Sequence, residues 1–497
     1  MCPAGSGALC VDVRRTRRPS LDPNTPNTLT ARSAKFHIVG SNTRSGRGNA
    51  PRELPRGPHS LTRAQVEESQ RRRIIAATIE AVGELGYTNT PVSEIIARAG
   101  VSRKAFYAHF PNREGCFLAA SDVVIAATIE LLERTYHAAN GGADGVESAI
   151  RALFEQALAN HHALRLVLIE LGALGDAGSA RRERLIAASE QILRDYLGIA
   201  PDSASALPDP ILRATIGGLN RVLHSRATGR VSKLSKGFVR DLVRWLYSYH
   251  PYPSTLMSSS HMASPRSAVL AGGRAPGTLA PAPIATARRG LRGDARSSHS
   301  LVVHRQRERI LDAVALLSAA GSFATVTVTG IGEHASVSPE TFYAHFAGKE
   351  DAFLVTYEVG HEKSLAAVES ACWSEPDWPS GVMAGIGALF EFLAAEPAYA
   401  RLALVDAMVA TQRTAARAWR GLADYEQLFT RGLEEAGEST SALTLEAVMG
   451  GLLELCLTYT LNGRTWMLPS FVRPATYFTL APVIGADAAA RVASASG

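Results

Sequence analysis

Between residues 61 and 118 apolar side chains recur at three- and four-residue intervals. Ile75, Ile79 and Val82 share one face of a helix beginning near Leu61–Glu67, and Gly86 ends it. After Thr90-Pro91 the pattern predicts a second helix from Val92 to Ala99, with Ile95 and Ile96 inward. Val101 and Ser102 then close a turn, and Ser102 suits the N-cap of a short helix from Arg103 to Phe110. Phe106 and Phe110 are four apart and bury together, which leaves Arg103, Lys104 and Tyr107 on other faces. A fourth helix opens at Asn112-Arg113-Glu114. Three short helices with tight turns make a helix-turn-helix unit.

The pattern returns. Ile310, Val314 and Leu317 form the stripe of another first helix, which Gly321-Ser322 ends, and Ala335–Glu350 repeats Ala99–Glu114. Without gaps, residues 71–118 and 307–354 are identical at 17 of 48 positions. Residues from Cys116 to about Gly198 read as helical, with loops at Asn140–Gly142 and Gly172–Ser179. Two amphipathic helices follow, Pro208–Ser225 and Ser232–His250, and Gly217-Gly218-Leu219 matches Gly450-Gly451-Leu452 further on. A repeat of near 236 residues means duplicated domains rather than a solenoid, and the fold class is all-α.

Composition sets the limits of the modules. Residues 1–63 are rich in Pro, Ser, Thr, Asn and Arg, and read as a disordered basic tail. Helix-turn-helix units are expected at 64–118 and 301–354, larger helical domains at 119–253 and 355–497, and a flexible linker at 254–300. Net charge is +6, yet the tail carries +8 and residues 251–300 carry +5, so the folded modules are mildly acidic. Overall basicity is therefore weak evidence for nucleic acid, and local charge must carry that argument. The five cysteines (Cys2, Cys10, Cys116, Cys372 and Cys456) fall in no CxxC or CxxxH spacing, so neither a disulfide framework nor a metal site is expected. No unbroken apolar run approaches the ~20 residues of a membrane span, and a cytoplasmic location is expected.

Gly-Val-Ser at 100–102, Phe-Tyr-Ala-His-Phe at 106–110 and the acidic helix start at Glu114 resemble the DNA-binding region of TetR-family repressors. The resemblance covers roughly 64–250 and 301–485, so the chain looks like two such proteins in tandem. It implies, in each module, a three-helix DNA-binding domain followed by a helical domain that binds a small apolar ligand and dimerises. The final two helices of each module would supply a four-helix bundle, either within one chain as a pseudo-dimer or between two chains as a homodimer. Leu153, Phe154, Leu166 and Ile169 in module one, and Phe390, Phe392, Leu404, Met408 and Trp419 in module two, are candidate pocket walls. The implied partner is a double-stranded DNA operator.

Within the resemblance, Tyr107 and His109 match positions that commonly touch DNA phosphates, although His109 could instead be hydrogen-bonded at the helix end. Ser102, Arg103 and Lys104 lead the reading helix, and Arg or Lys pairs well with guanine acceptors. Arg71, Arg72, Arg73 and Arg113 would flank the groove as phosphate clamps. The counterparts in module two are Ser338, Thr341, Tyr343, His345 and Lys349. There Arg103 is replaced by Pro339, Lys104 by Glu340, and Gly100 by Ser336, where the turn wants positive φ and a side chain costs ~1 kcal/mol. Residues 71–113 carry +4 and the matching 307–349 carry −1. Module one should therefore dominate DNA binding as a ligand-responsive repressor, since each lost phosphate contact costs affinity. The rival reading is an interaction or ligand-sensing protein in which one or both heads have lost DNA binding. No P-loop, GxGxxG, GxSxG or HExxH is present, so neither an enzyme nor a cofactor is expected.

Overall fold

The computed structural model describes residues 62–196, 208–228, 237–249 and 295–495, all within one packed unit. The basic tail and most of the linker lie outside the described residues, as do Cys2 and Cys10. Among the described residues every regular element is helical.

Thr62 and Gln65 form a capping box that starts α1 (Arg63–Leu85), and Gly86 stops it at φ 81°. Helices α2 (Val92–Ala99) and α3 (Arg103–His109) meet at Gly100, which is left-handed at φ 60°. Ser102 caps α3 by accepting from the Ala105 amide, and Asn112 caps α4 (Arg113–Ala138) by accepting from the Gly115 amide. Then come α5 (Gly142–Ala159), α6 (His161–Leu168), a 3₁₀ turn at Glu170–Leu174, α7 (Gly175–Tyr196), α8 (Asp209–Thr228) and α9 (Phe238–Tyr247). The loop expected at Gly172–Ser179 is thus helical, and the chain breaks instead at Asn160, which caps α6.

Module two opens on α10 (Ala295–Ala320), so its first helix begins inside the segment read as linker. It is followed by α11 (Val328–Ala335), α12 (Pro339–His345), α13 (Lys349–Trp373), α14 (Trp378–Ala395) and α15 (Pro397–Arg401). A π turn at Leu402–Asp406 leads into the single turn α16 (Ala407–Val409), then α17 (Gln412–Glu435), α18 (Ala442–Leu461), α19 (Val472–Ile484) and α20 (Ala486–Ser494). Ser336 adopts φ 52° where Gly100 stands in module one, so the turn keeps its shape despite the added side chain.

Each head has its own core. Phe106 and Phe110 sit with Ile74, Ile95 and Phe117 in one, and Phe342 and Phe346 with Ile310, Ile331 and Phe353 in the other. The two bodies share a single larger core, centred on α8 against α18. That crossing depends on glycine. A Cβ on Gly217 would stand 2.9 Å from the Gly450 carbonyl oxygen, and one on Gly450 would stand 3.1 Å from that of Gly217. Gly218 meets the Ala447 carbonyl as Gly451 meets that of Ala214, at 2.5 and 2.6 Å. These reciprocal contacts relate the two helices by a local two-fold. Around them, Arg182 pairs with Glu454, Arg221 with Glu426 at 3.5 Å and Arg226 with Glu446 at 3.5 Å. Tyr249 stacks on Phe478 with ring centres 4.9 Å apart.

Three helices (α4, α14 and α18) are long and apolar enough to cross a membrane by length and composition. Scattered polar residues interrupt the apolar run of each in the sequence. In the fold their apolar faces pack inward, through Phe117, Val124 and Leu132 in α4, Ile386 and Phe390 in α14, and Val448 and Leu455 in α18.

Candidate nucleic-acid interface

Phe106 is fully buried and Phe110 nearly so, which fixes the rotation of α3 and turns Ser102, Arg103, Lys104, Tyr107 and Ala108 outward. Tyr107 is 46% exposed despite being a large apolar ring, and the Arg103 guanidinium lies 5.8 Å from its centre. An exposed tyrosine flanked by two cations on one short helix is suited to phosphate and base-edge contact. His109 is half-buried, with Nε2 at 3.5 Å from Gln70 Oε1, so it bridges α3 to α1.

The flanking arginines divide. Arg71 lies 5.6 Å from the Phe110 ring centre, and Arg72 is exposed with a loose 3.6 Å pairing to Glu68. Arg73 instead donates to the carbonyls of Ala99 and Gly100 at 3.2 and 3.4 Å, capping the end of α2. Arg113 donates to Tyr87, Thr88 and Thr90 carbonyls at 3.4 Å each and covers the Tyr87 ring at 4.3 Å. Lys349 repeats that arrangement, donating to Phe323 and Val326 carbonyls at 3.2 and 2.9 Å over the Phe323 ring. Arg73, Arg113 and Lys349 therefore each hold loop or helix-end carbonyls inside their head, with Arg113 and Lys349 also lying over an aromatic ring.

In module two, Tyr343 is 59% exposed and Phe342 buried, so α12 presents the same face as α3. Ser338 accepts from the Thr341 amide at 3.2 Å, with the two hydroxyls also 3.2 Å apart. Glu340 is fully exposed, and hydrogen bonding from Ser338 holds its carboxyl below the usual range, so it is anionic at neutral pH. His345 is pushed down by burial and by Arg307, which keeps it neutral. The scaffold is thus preserved while its charge is reversed.

Sequence reasoning missed the joint between head and body. Arg165 on α6 donates to the Gly83 and Glu84 carbonyls at 3.2 and 3.4 Å and pairs with buried Glu170 at 3.1 Å, and Glu170 accepts from the Tyr87 amide at 2.8 Å. An Arg–x4–acid spacing repeated as Arg401 and Asp406 was the available signal.

A cavity of about 670 Å³ lies between α13, α14, α17 and α18. Of the expected walls, Leu404 and Met408 line it. Phe390 is buried in the core and Phe392 packs at its edge. Trp419 lines a separate space of about 120 Å³ between the modules, together with Ile169. Phe154 and Leu166 are fully buried packing residues in separate cores, and Leu153 packs against the one that holds Phe154. The larger cavity is mostly apolar, with Glu375, Asp377, Glu435 and Glu438 among its walls and a polar group at His361, Ser364 and Tyr425. There His361 Nε2 is 2.7 Å from Asp424 Oδ2, and the Ser364 and Tyr425 hydroxyls are 2.6 Å apart. Burial pushes the Tyr357 phenol up to about 12 and that of Tyr425 up as well, so both stay neutral donors.

Residues 74–120 and 310–355 each match the family described as bacterial regulatory proteins, tetR family. No individual curated protein matches the chain. Carrying that family's DNA-binding domain twice, on helices that bury the same aromatic pair and expose the same tyrosine, the chain belongs to the TetR family of DNA-binding transcriptional regulators, as two tandem TetR-like modules.

Proposed function

We propose that the chain is a ligand-responsive repressor whose first module is the stronger DNA reader and whose two modules pair within one chain. The observation that carries the asymmetry is the charge of two otherwise matched heads, +4 over residues 71–113 against −1 over 307–349. Arg103, Lys104 and Tyr107 are the proposed groove residues, with Ser102, Arg71, Arg72 and His109 at the backbone. Thr341, Tyr343, Ser338 and His345 are the weaker set. Pairing within the chain is supported by the reciprocal glycine contacts of α8 and α18. The domain limits at 64–118, 119–253, 301–354 and 355–497 belong to this reading, as does a cytoplasmic location. Regulators of this family are generally non-enzymatic, and we extend that to this chain.

Ligand binding in the bodies would bias the arrangement of the heads and weaken DNA binding. A second reading, loss of DNA binding by module two, is favoured by Pro339 and Glu340 at its leading positions. Genome-wide mapping of bound DNA identifies the operator. Affinity for it is then compared between Arg103→Ala/Lys104→Ala and Thr341→Ala/Tyr343→Phe chains. The first pair should cost at least tenfold more than the second. A larger loss from the second pair would reverse the assignment, and full indifference to it would favour the second reading.

A further inference from the structure

We infer that one chain, alone, takes a DNA duplex that lacks two-fold symmetry. Opposite charges at matched positions around α8 and α18 keep like modules from pairing, and the two heads so joined call for different half-sites. This rests on the regulator reading proposed above and deepens it by naming the kind of duplex that the chain takes.

The crossing supplies its own register. Helices α8 and α18 are both 20 residues long, and the matched Gly217-Gly218 and Gly450-Gly451 set them in register from end to end. Glu454 lies against Gly217 as Arg221 lies against Gly450. The two places are equivalent and their charges opposite. For α7 and α17 the 236-residue register of the heads holds, since Arg181 pairs with Asp122 as Arg417 pairs with Glu358.

Among the described residues, three ion pairs cross between the modules: Arg182 with Glu454, Arg221 with Glu426 and Arg226 with Glu446. Going from module one to module two replaces Arg182, Glu190, Arg213, Arg221 and Arg226 by Ala418, Glu426, Glu446, Glu454 and Tyr459. The first set carries +3 and the second −3. Glu183, which with Glu190 holds Arg213 inside module one, lowers the first to +2 and stands where module two has Trp419. Two copies of module one joined through this surface would set Arg182 against Arg221 and Arg226 against Arg213. Two copies of module two would leave Glu454, which is buried, facing Ala418 in place of an arginine. Like charges brought together, or a buried charge without its partner, select against both arrangements. Only the unlike pair cancels.

A chain whose modules pair only with each other presents one copy of each head. Tyr107, Ala108 and His109 recur as Tyr343, Ala344 and His345, whereas Arg103, Lys104 and Ala105 become Pro339, Glu340 and Thr341. The half-sites therefore match where the tyrosines reach and differ where the helix N-termini reach. Guanine acceptors suit the two cations of α3 and do not suit the anion that leads α12.

The test uses the full chain, the operator duplex found by genome-wide mapping, and two palindromes built from its left and right halves. Sedimentation should give the mass of one chain in free solution and one chain per operator. Each palindrome should bind at least tenfold more weakly than the operator. Glu446→Arg/Glu454→Arg, which gives module two the residues of module one, should lower operator affinity at least tenfold. Adding Arg182→Glu and Arg226→Glu should recover most of that loss, although neither reading helix has changed. Two chains per duplex, a palindrome bound as tightly as the operator, or a loss that the charge swap fails to recover at unchanged helicity would each overturn the inference. A chain that binds no duplex at low salt defeats the regulator reading together with this one. A chain that prefers a palindrome defeats this one alone.

Discussion

Glu170 and Asp406 hold the same place in the two modules, five residues beyond Arg165 and Arg401, yet only Glu170 completes its ion pair. Asp406 is one methylene shorter and sits on the π turn Leu402–Asp406. Its Oδ2 and the Arg401 Nε find no hydrogen-bond partner among the described residues. The head of module one is therefore tied to its body by a closed polar joint, while the same joint in module two is left open.

This difference makes module two sensitive to pH. Burial raises the Asp406 carboxyl to about 7, partly opposed by Arg401. An unfolded aspartate titrates near ~3.9, so the folded module binds this proton more tightly than the unfolded chain does. Stability should fall as pH rises from about 4 to about 7 and stay reduced above that. Asp406→Asn should flatten the dependence and raise the midpoint at pH 8, measured by thermal unfolding. An unchanged profile would show that the carboxyl is not strained by its burial.

The joint of module one should fail when cut. Arg165→Met leaves Glu170 buried with only the Tyr87 amide, a loss on the order of 1–3 kcal/mol. Amide exchange near the end of α1 should accelerate, and operator affinity should drop although no groove residue has changed. Retained exchange protection at Gly83–Tyr87 would contradict this role.

Charge reversal in the second head predicts a gain. Glu340→Lys removes an exposed anion from α12 and restores the residue type found at Lys104. Affinity should rise, and the slope of log affinity against log salt should steepen by about one. No change in slope would mean that α12 does not approach phosphate.

Arg113 and Lys349 should behave as packing residues. Methionine at either site leaves loop carbonyls unpaired and should lower the unfolding midpoint of that head, while the salt dependence of DNA binding stays put. A reduced slope with an unchanged midpoint would restore them as phosphate contacts.

The bundle should depend on its two facing glycines. Gly450→Val drives a branched side chain into Arg221 and the Gly217 backbone. Helices α8 and α18 must then separate, and the bodies should melt in two transitions instead of one, as read by calorimetry. A single sharp transition at the original midpoint would show that the crossing tolerates separation.

The heads were legible because each rule agreed with the next. Apolar spacing, the Ser102 cap and the Phe106–Phe110 pair all required the same three helices, and α2 and α3 run within a residue of their expected bounds. The bodies were legible only as helical. Their breaks depend on contacts between distant segments: Asn160 caps a helix within a stretch that reads as continuous helix, and the loop expected at Gly172–Ser179 is instead the end of a 3₁₀ turn running into α7. Among the site residues, periodicity could say which ones faced outward but not which were already engaged. The sequence does not show that Arg73, Arg113 and Lys349 donate to carbonyls 23 to 27 positions away.

The sequence by itself determined the duplication, the all-helical character, the two reading helices and their opposite charge. All of these follow from local periodicity and residue type. Tertiary structure alone decided where volume was left open and which charges were consumed. A cavity is what remains after distant side chains have packed, and a cation's availability depends on which carbonyls the fold brings to it.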